Sequence, residues 1–353
     1  MKLSKQNLFI ASFVVVLAYA VVITLGIGPS RIARGFKKQV VAPVEAMIFG
    51  PKTELDGYVE KPCPTSGALV VAYFGQSNAT NTVQPAAQGP FPDNLLQYDW
   101  RSMKCFAYKE PLLGADRPFG NSITYAAIRM ANDSSRPVVI APFGYGPSSV
   151  LDWAYGQGAA QQRLVMKRLK ESGLSPQVFL WHQGETDTTN EEITDEALGE
   201  LPHFERPNHN QRYLDTMHFG LPRDLYEKAL NVVVDRTLEA FPDTYFGIAL
   251  ASFAPCIGAN HVWQPVRDAQ QAVATSHART FISADSDQIP AEDRYDTCHF
   301  SDRGAQKLSD QYYRSLATLN IIDAAEDDPH AQDENLQASS GASPATPVGQ
   351  QSE

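Results

Sequence analysis

The sequence predicts an α/β fold, a three-layer α/β/α sandwich on parallel strands, with a transmembrane helix ahead of it. Three observations carry this reading. Short apolar runs rich in β-branched residues recur along the chain, stretches with apolar residues three and four apart lie between them, and residues 8–28 hold no charge. A short continuous apolar run fits a strand buried on both faces. Strand and helix in regular alternation mean parallel strands joined by right-handed crossovers.

Taken in order, residues 1–7 form a tip carrying Lys2 and Lys5, and residues 8–28 follow as the anchor. Those 21 residues, at about 1.5 Å rise each, are long enough to cross a hydrocarbon core of ~30 Å. Ala18-Tyr19-Ala20 has the small-x-small form of a signal-peptide cleavage site, which is the competing reading. The apolar run continues through Val21, Val22, Ile23, Thr24 and Leu25, longer than a usual signal core, and favours an uncleaved anchor. Arg31, Arg34, Lys37 and Lys38 follow it and by the positive-inside rule argue for a cytoplasmic body. The cysteines argue the other way. Cys63, Cys105, Cys256 and Cys298 are even in number without a CxxC pair, which fits two disulfides in an oxidising compartment, against the plainer reading of four core thiols. Three pairings are open, and Cys63–Cys105 with Cys256–Cys298 is the sequence-local one. The body is therefore expected on the outer, periplasmic or extracellular, side of the membrane.

Residues 29–66 read as a linker rich in Pro, Gly and charge. From Gly67 the pattern changes, with strands at 68–74, 137–141, 177–181, 245–250 and 280–283. Helices are expected at 121–132, 159–171, 224–241, 262–277 and 302–319, the last with Asp302 as its N-cap. Residues 186–222 are polar and break the rhythm as an insertion, within a domain that runs from 67 to 322. Residues 323–353 carry seven acids and no Lys or Arg, with almost nothing to bury, and read as a disordered acidic tail. The net charge of −11 argues against a protein that grips nucleic acid phosphates.

In a doubly wound sheet the site forms at the carboxyl ends of the strands. After the first strand comes Phe74-Gly75-Gln76-Ser77-Asn78-Ala79, a tight turn that can expose the Ser77 hydroxyl with its own N–H beside it; a helix-capping serine is the plainer reading. After the second comes Phe143-Gly144-Tyr145-Gly146-Pro147-Ser148-Ser149 with Trp153, where Gly146 has a free N–H and Pro147 has none. The third is followed by Trp181-His182-Gln183-Gly184-Glu185-Thr186-Asp187, in which Gln183 offers a neutral amide donor. Glu185 and Asp187 with one nearby histidine make a poor metal set. Before the last helix, Asp296-Thr297-Cys298-His299-Phe300-Ser301 lets the Asp296 carboxylate hold Nδ1 of His299 and leave Nε2 free as a base.

With these four loops the sequence resembles the SGNH hydrolases, and within them the sialate O-acetylesterase-like group that includes carbohydrate esterase family 6 acetylesterases. The resemblance covers roughly residues 67–320. It implies the mostly parallel, flavodoxin-like sheet of the SGNH hydrolase fold. It also implies Ser77 as nucleophile, His299 as base and Asp296 as its orienter. The oxyanion hole would comprise the Ser77 N–H, the Gly146 N–H and the Gln183 side chain. Glu185 matches the acid of the group's HQGE motif and is expected to support His299 or the hole, with Gln76 and Asn78 also in supporting places. The group's two adjacent glycines read Gly146-Pro147 here, which leaves open which N–H completes the hole.

The implied reaction is hydrolysis of an acetyl ester on a sugar hydroxyl through an acetyl-enzyme on Ser77, with no metal or organic cofactor. Two alternatives stand beside it. An O-acetyltransferase would hand the same acyl group to an exported polysaccharide, and a silent member would only bind a glycan. The expected partners are an acetylated carbohydrate and, through residues 8–28, the membrane.

Overall fold

A computed structural model describes residues 55–64, 66–188, 220–257 and 260–322. The expected anchor at 8–28, the tail at 323–353 and most of the linker and insertion lie outside the described residues. Among the described residues no helix is long and apolar enough to cross a membrane.

Eight strands form one sheet: β1 (Glu60–Lys61), β2 (Leu69–Gly75), β3 (Leu95–Asp99), β4 (Lys104–Ala107), β5 (Val138–Pro142), β6 (Val178–His182), β7 (Tyr245–Leu250) and β8 (Thr280–Asp285). Their order is β1-β4-β3-β5-β2-β6-β7-β8. From β3 to β8 every neighbouring pair is parallel, and near one edge β4 alone is reversed, pairing antiparallel with both β3 and β1. The five strands expected from apolar runs stand as β5-β2-β6-β7-β8, the flavodoxin-like order. The strand order reverses between β2 and β6, which opens a crevice at their carboxyl ends.

β3 and β4 were not visible as apolar runs because polar residues interrupt them. Gln97 in β3 is fully buried, and it is tolerated there because its amide donates to the Ala107 and Lys109 carbonyls and accepts from the Leu113 N–H. The folded body also begins earlier than Gly67. Glu60 and Lys61 pair with β4, and Cys63 is bridged to Cys105 on that strand.

Among the described residues six α-helices accompany the sheet: α1 (Thr124–Asp133), α2 (Val150–Tyr155), α3 (Gln157–Glu171), α4 (Arg223–Ala240), α5 (Gln264–Ser276) and α6 (Asp302–Ala317). Side chains alternate along β2. Leu69, Val71 and Tyr73 join a buried core with Ala127 and Met130 of α1 and Leu308 and Tyr312 of α6. Phe74 faces the other way into an aromatic cluster, stacked on Phe143 at 4.5 Å and edge-on to Trp153, Phe179, Trp181 and Phe246. One feature differs from expectation: α6 is capped by Ser301, whose hydroxyl accepts from the Gly304 N–H at 3.3 Å. Asp302 sits in the first turn, where its charge suits the helix dipole, and accepts from the Tyr125 hydroxyl.

Candidate active site

The β2 turn is built so that only glycine can lead into it. Gly75 has φ +140°, and a Cβ there would lie 2.0 Å from the His182 carbonyl oxygen. The Gln76 N–H donates to that same oxygen at 3.0 Å, which ties β2 to β6 at the crevice. Ser77 then opens a 3-10 turn (Ser77–Ala79). Its carbonyl accepts from the Thr80 N–H and the Thr80 and Thr82 hydroxyls at 2.6–2.9 Å. Its own hydroxyl and N–H have no partner among the described residues, so both are left for a ligand. Gly146 lies directly against this turn, since a Cβ on it would come within 2.4 Å of the Ser77 nitrogen. The Gly146 N–H is likewise unpartnered among the described residues.

The Asp296–His299 loop is a tight hairpin. Asp296 Oδ2 pairs with His299 Nδ1 at 2.6 Å, while Oδ1 accepts the backbone N–H groups of His299 at 2.6 Å and Cys298 at 2.9 Å. Thr297 takes the left-handed conformation (φ +67°) that folds the loop back on itself. Partial burial pushes the Asp296 carboxyl up, but the hydrogen bonds from the His299 ring and the two backbone N–H groups outweigh it and hold the group below its usual range.

One contact joins the two loops. Asn78, next to Ser77, donates through Nδ2 to the carbonyl of Cys298, next to His299, at 3.3 Å. Arg294 Nη1 donates to the same carbonyl at 2.7 Å, and Cys298 is bridged to Cys256 after β7. The Gln84 N–H donates to the Phe300 carbonyl at 3.4 Å, and residues 84 and 301 form a parallel bridge. The Ser77 loop and the Asp296–His299 loop are thus stitched side by side.

Beneath them lies a buried polar layer. Glu185 is buried, and its Oε1 accepts from Asn78 Nδ2 at 2.7 Å and pairs with His182 Nε2 at 3.0 Å. Burial alone would raise this carboxyl, but the charge and hydrogen bond of His182 and the bond from Asn78 bring it down to about 2. His182 Nδ1 continues to the Tyr312 hydroxyl at 3.0 Å. Gln76 Oε1 accepts the Gly184 and Thr186 N–H groups at 3.2 and 3.0 Å, locking the β6 loop. Gln76, Asn78 and Glu185 therefore hold the Ser77 turn, with the Glu185 carboxylate bonded to Asn78 and His182 and not to His299.

Gln183 departs from expectation. It is fully buried, its Nε2 donates to the Ser148 carbonyl at 3.1 Å and to Asp187 Oδ2 at 2.6 Å, and its Oε1 accepts from the Tyr226 hydroxyl at 2.9 Å. Both amide hydrogens are engaged, so in this arrangement none remains for an oxyanion; the side chain braces the Gly146–Ser149 loop from below. Glu185 and Asp187, two apart in sequence, likewise point their carboxylates at different partners.

A family model described as carbohydrate esterase, sialic acid-specific acetylesterase, matches residues 74–318. The chain belongs to this family. It is a carboxylic ester hydrolase, and the family's substrates are acetylated carbohydrates. A solved structure of a protein from Arabidopsis thaliana is similar at 15% identity and TM-score 0.50, covering 72% of this chain and 98% of that one, and shares its fold. An acetyl xylan esterase from the rumen bacterium Butyrivibrio proteoclasticus is similar at 12% identity and TM-score 0.38, covering 72% of this chain and 64% of that one. A search of curated proteins finds no match.

In the esterase, residues that gave no signal in the sequence also hold these loops. Arg294 is buried, donates to the Cys298, Ser286 and Ile289 carbonyls and stacks over Phe300 at 4.5 Å. Two residues ahead of Asp296, in a loop of charged residues, it carried no signal of burial. Tyr226 and Gln270 both reach the β6 loop at the Gln183 carbonyl, 2.9 Å each, from helices far away in sequence.

Asp187 supplies a pH-dependent test of this buried layer in the esterase. It accepts the Val150 N–H at 2.7 Å at the start of α2, and burial pushes its carboxyl up to about 6 despite the bonds from Ser149, Val150 and Gln183. A carboxyl raised in the folded state binds protons more tightly there than in the unfolded chain. Its ionisation therefore costs stability as pH rises from about 4 to about 6, by up to about 3 kcal/mol. Urea unfolding of wild type and Asp187→Asn at pH 4 and 7 is expected to show the wild type losing ground by that order at the higher pH. A gap between the two proteins that does not move with pH would contradict the burial assigned to this group.

Proposed function

We propose that the chain is a carbohydrate O-acetylesterase that hydrolyses acetyl esters on sugar hydroxyls through an acetyl-enzyme on Ser77. The observation that carries this reading is the Asn78–Cys298 hydrogen bond, which sets an unpartnered serine hydroxyl on the loop beside an Asp-oriented histidine. His299 Nε2 takes the Ser77 proton as Oγ attacks the acetyl carbonyl carbon. The carbonyl oxygen becomes an oxyanion held by the Ser77 and Gly146 N–H groups, with Gln183 keeping their loop in place. As the tetrahedral intermediate collapses, the ester bond breaks and His299 returns the proton to the departing sugar oxygen. Water then attacks the acetyl-enzyme with His299 again as base, releasing acetate and restoring Ser77.

The two disulfides support an exported body. Residues 8–28 would hold it at the outer face of the membrane. The testing experiment incubates the protein with acetylated glycans and measures free acetate, with and without a deacetylated polysaccharide. Acetate release unaffected by the polysaccharide is the expected result. Acetyl groups appearing on the polysaccharide in place of acetate would make the chain a transferase. No acetate and no labelling of Ser77 by a fluorophosphonate would leave only glycan binding.

A further inference from the structure

The catalytic hairpin carries a second aromatic group that the reaction itself does not use. The Tyr295 N–H donates to the His299 carbonyl at 3.0 Å, and Arg294 and Phe300 form an antiparallel bridge just behind. Tyr295 and His299 are therefore cross-strand neighbours whose side chains leave the same face. Their rings lie 6.0 Å apart and 25° from parallel. Tyr295 is nonetheless 41% exposed, an aromatic ring open to solvent beside the half-exposed Asp296–His299 pair.

It is not isolated. Among the described residues six large hydrophobic side chains are exposed; of these, Tyr295 stands on this hairpin, Ile257 on a loop bridged to it, and Phe119 on a loop bound to the Ser77–Asn81 segment. Phe119 is held through its N–H to the Asn81 carbonyl in the nucleophile loop, and Ile257 adjoins Cys256, which is bridged to Cys298. Apolar groups gathered at the rim of a polar site mark a surface that a ligand covers.

We propose that Tyr295 is the floor of a sugar-ring subsite, stacking on the apolar C–H face of the pyranose whose acetyl group lies at Ser77. The assignment rests on the esterase reading and deepens it. A flat ring parallel to the imidazole seats a sugar so that its ester oxygen lies toward His299 Nε2, where the leaving proton must be delivered. Polar hydroxyls at the ring's edge stay in water, which suits a half-exposed tyrosine better than a closed apolar pocket.

The test compares xylose tetraacetate, which offers a ring to stack, with ethyl acetate, which does not. In Tyr295→Leu and Tyr295→Ala the ratio of kcat/KM for the sugar ester to that for ethyl acetate is expected to fall roughly tenfold, mainly through KM, and Tyr295→Phe is expected to keep it. The leucine variant preserves apolar bulk on the hairpin, so a collapse of the loop would show as an equal loss on both esters. An equal loss, or an unchanged ratio, overturns the subsite. A wild-type protein inert toward both esters overturns the esterase reading itself, and the subsite falls with it.

Discussion

Replacing Ser77 by alanine is expected to lower acetate release from acetylated sugars or p-nitrophenyl acetate by about 10⁴-fold or more, while thermal unfolding stays where it was. The first half follows from the proposed covalent mechanism, in which removal of Oγ leaves no acetyl-enzyme and only the oxyanion donors and binding remain. The second half follows from this turn's construction. Every hydrogen bond that Ser77 makes in the described residues runs through its carbonyl, to Thr80 and Thr82, and alanine keeps that carbonyl. The deleted hydroxyl has no partner to abandon. Initial-rate assays beside a thermal melt decide the matter, and near-normal rates in the variant would remove Ser77 as nucleophile.

Asp296→Asn is expected to lower kcat by ~10⁴-fold with the loop intact. Asp296 Oδ1 already accepts two backbone N–H groups, from Cys298 and His299. In the amide only the oxygen can accept them, so the NH2 is turned toward His299 Nδ1. Nδ1 must then act as acceptor, the ring proton moves to Nε2, and the base can no longer take a proton from Ser77. The wild-type carboxyl, held below its usual range, is ionised throughout the neutral region. The stability it lends is present above the ordinary carboxylate range and is lost only as pH falls through the lowered value, so Asp296→Asn should lose its stability deficit in strong acid. Turnover within tenfold of wild type would show that the imidazole keeps its tautomer without the carboxylate.

Much of this architecture was legible along the chain. β2, β5, β6 and β7 are fully apolar or nearly so because both their faces are covered, and such runs stand out in any linear reading, whereas β8 at the edge shows only a short Phe281-Ile282 run. The Asp296–His299 pair was legible for a related reason: three residues of loop are enough to close that contact locally. The sequence-local pairing of the cysteines also stands in the structure. β3 and β4 were hidden because Gln97, Asp99 and Lys104 interrupt their apolar character. The Gln97 side chain is satisfied by the β4 end and the loop beyond, a partnership with no periodicity to reveal it.

Residue types and local spacing by themselves determined the parallel α/β plan, the four loops that follow its strands, and the Asp296–His299 contact, since each depends on contacts within a few residues. Tertiary structure alone decided how those loops meet. Asn78 finds Cys298 across 220 positions, Arg294 turns from an apparent surface charge into a buried clasp on the Cys298 carbonyl, and Gln183 gives both its amide hydrogens to Ser148 and Asp187. The physical reason is that a buried polar group must find its partner wherever the packed chain brings one, and that partner's position in sequence is unconstrained.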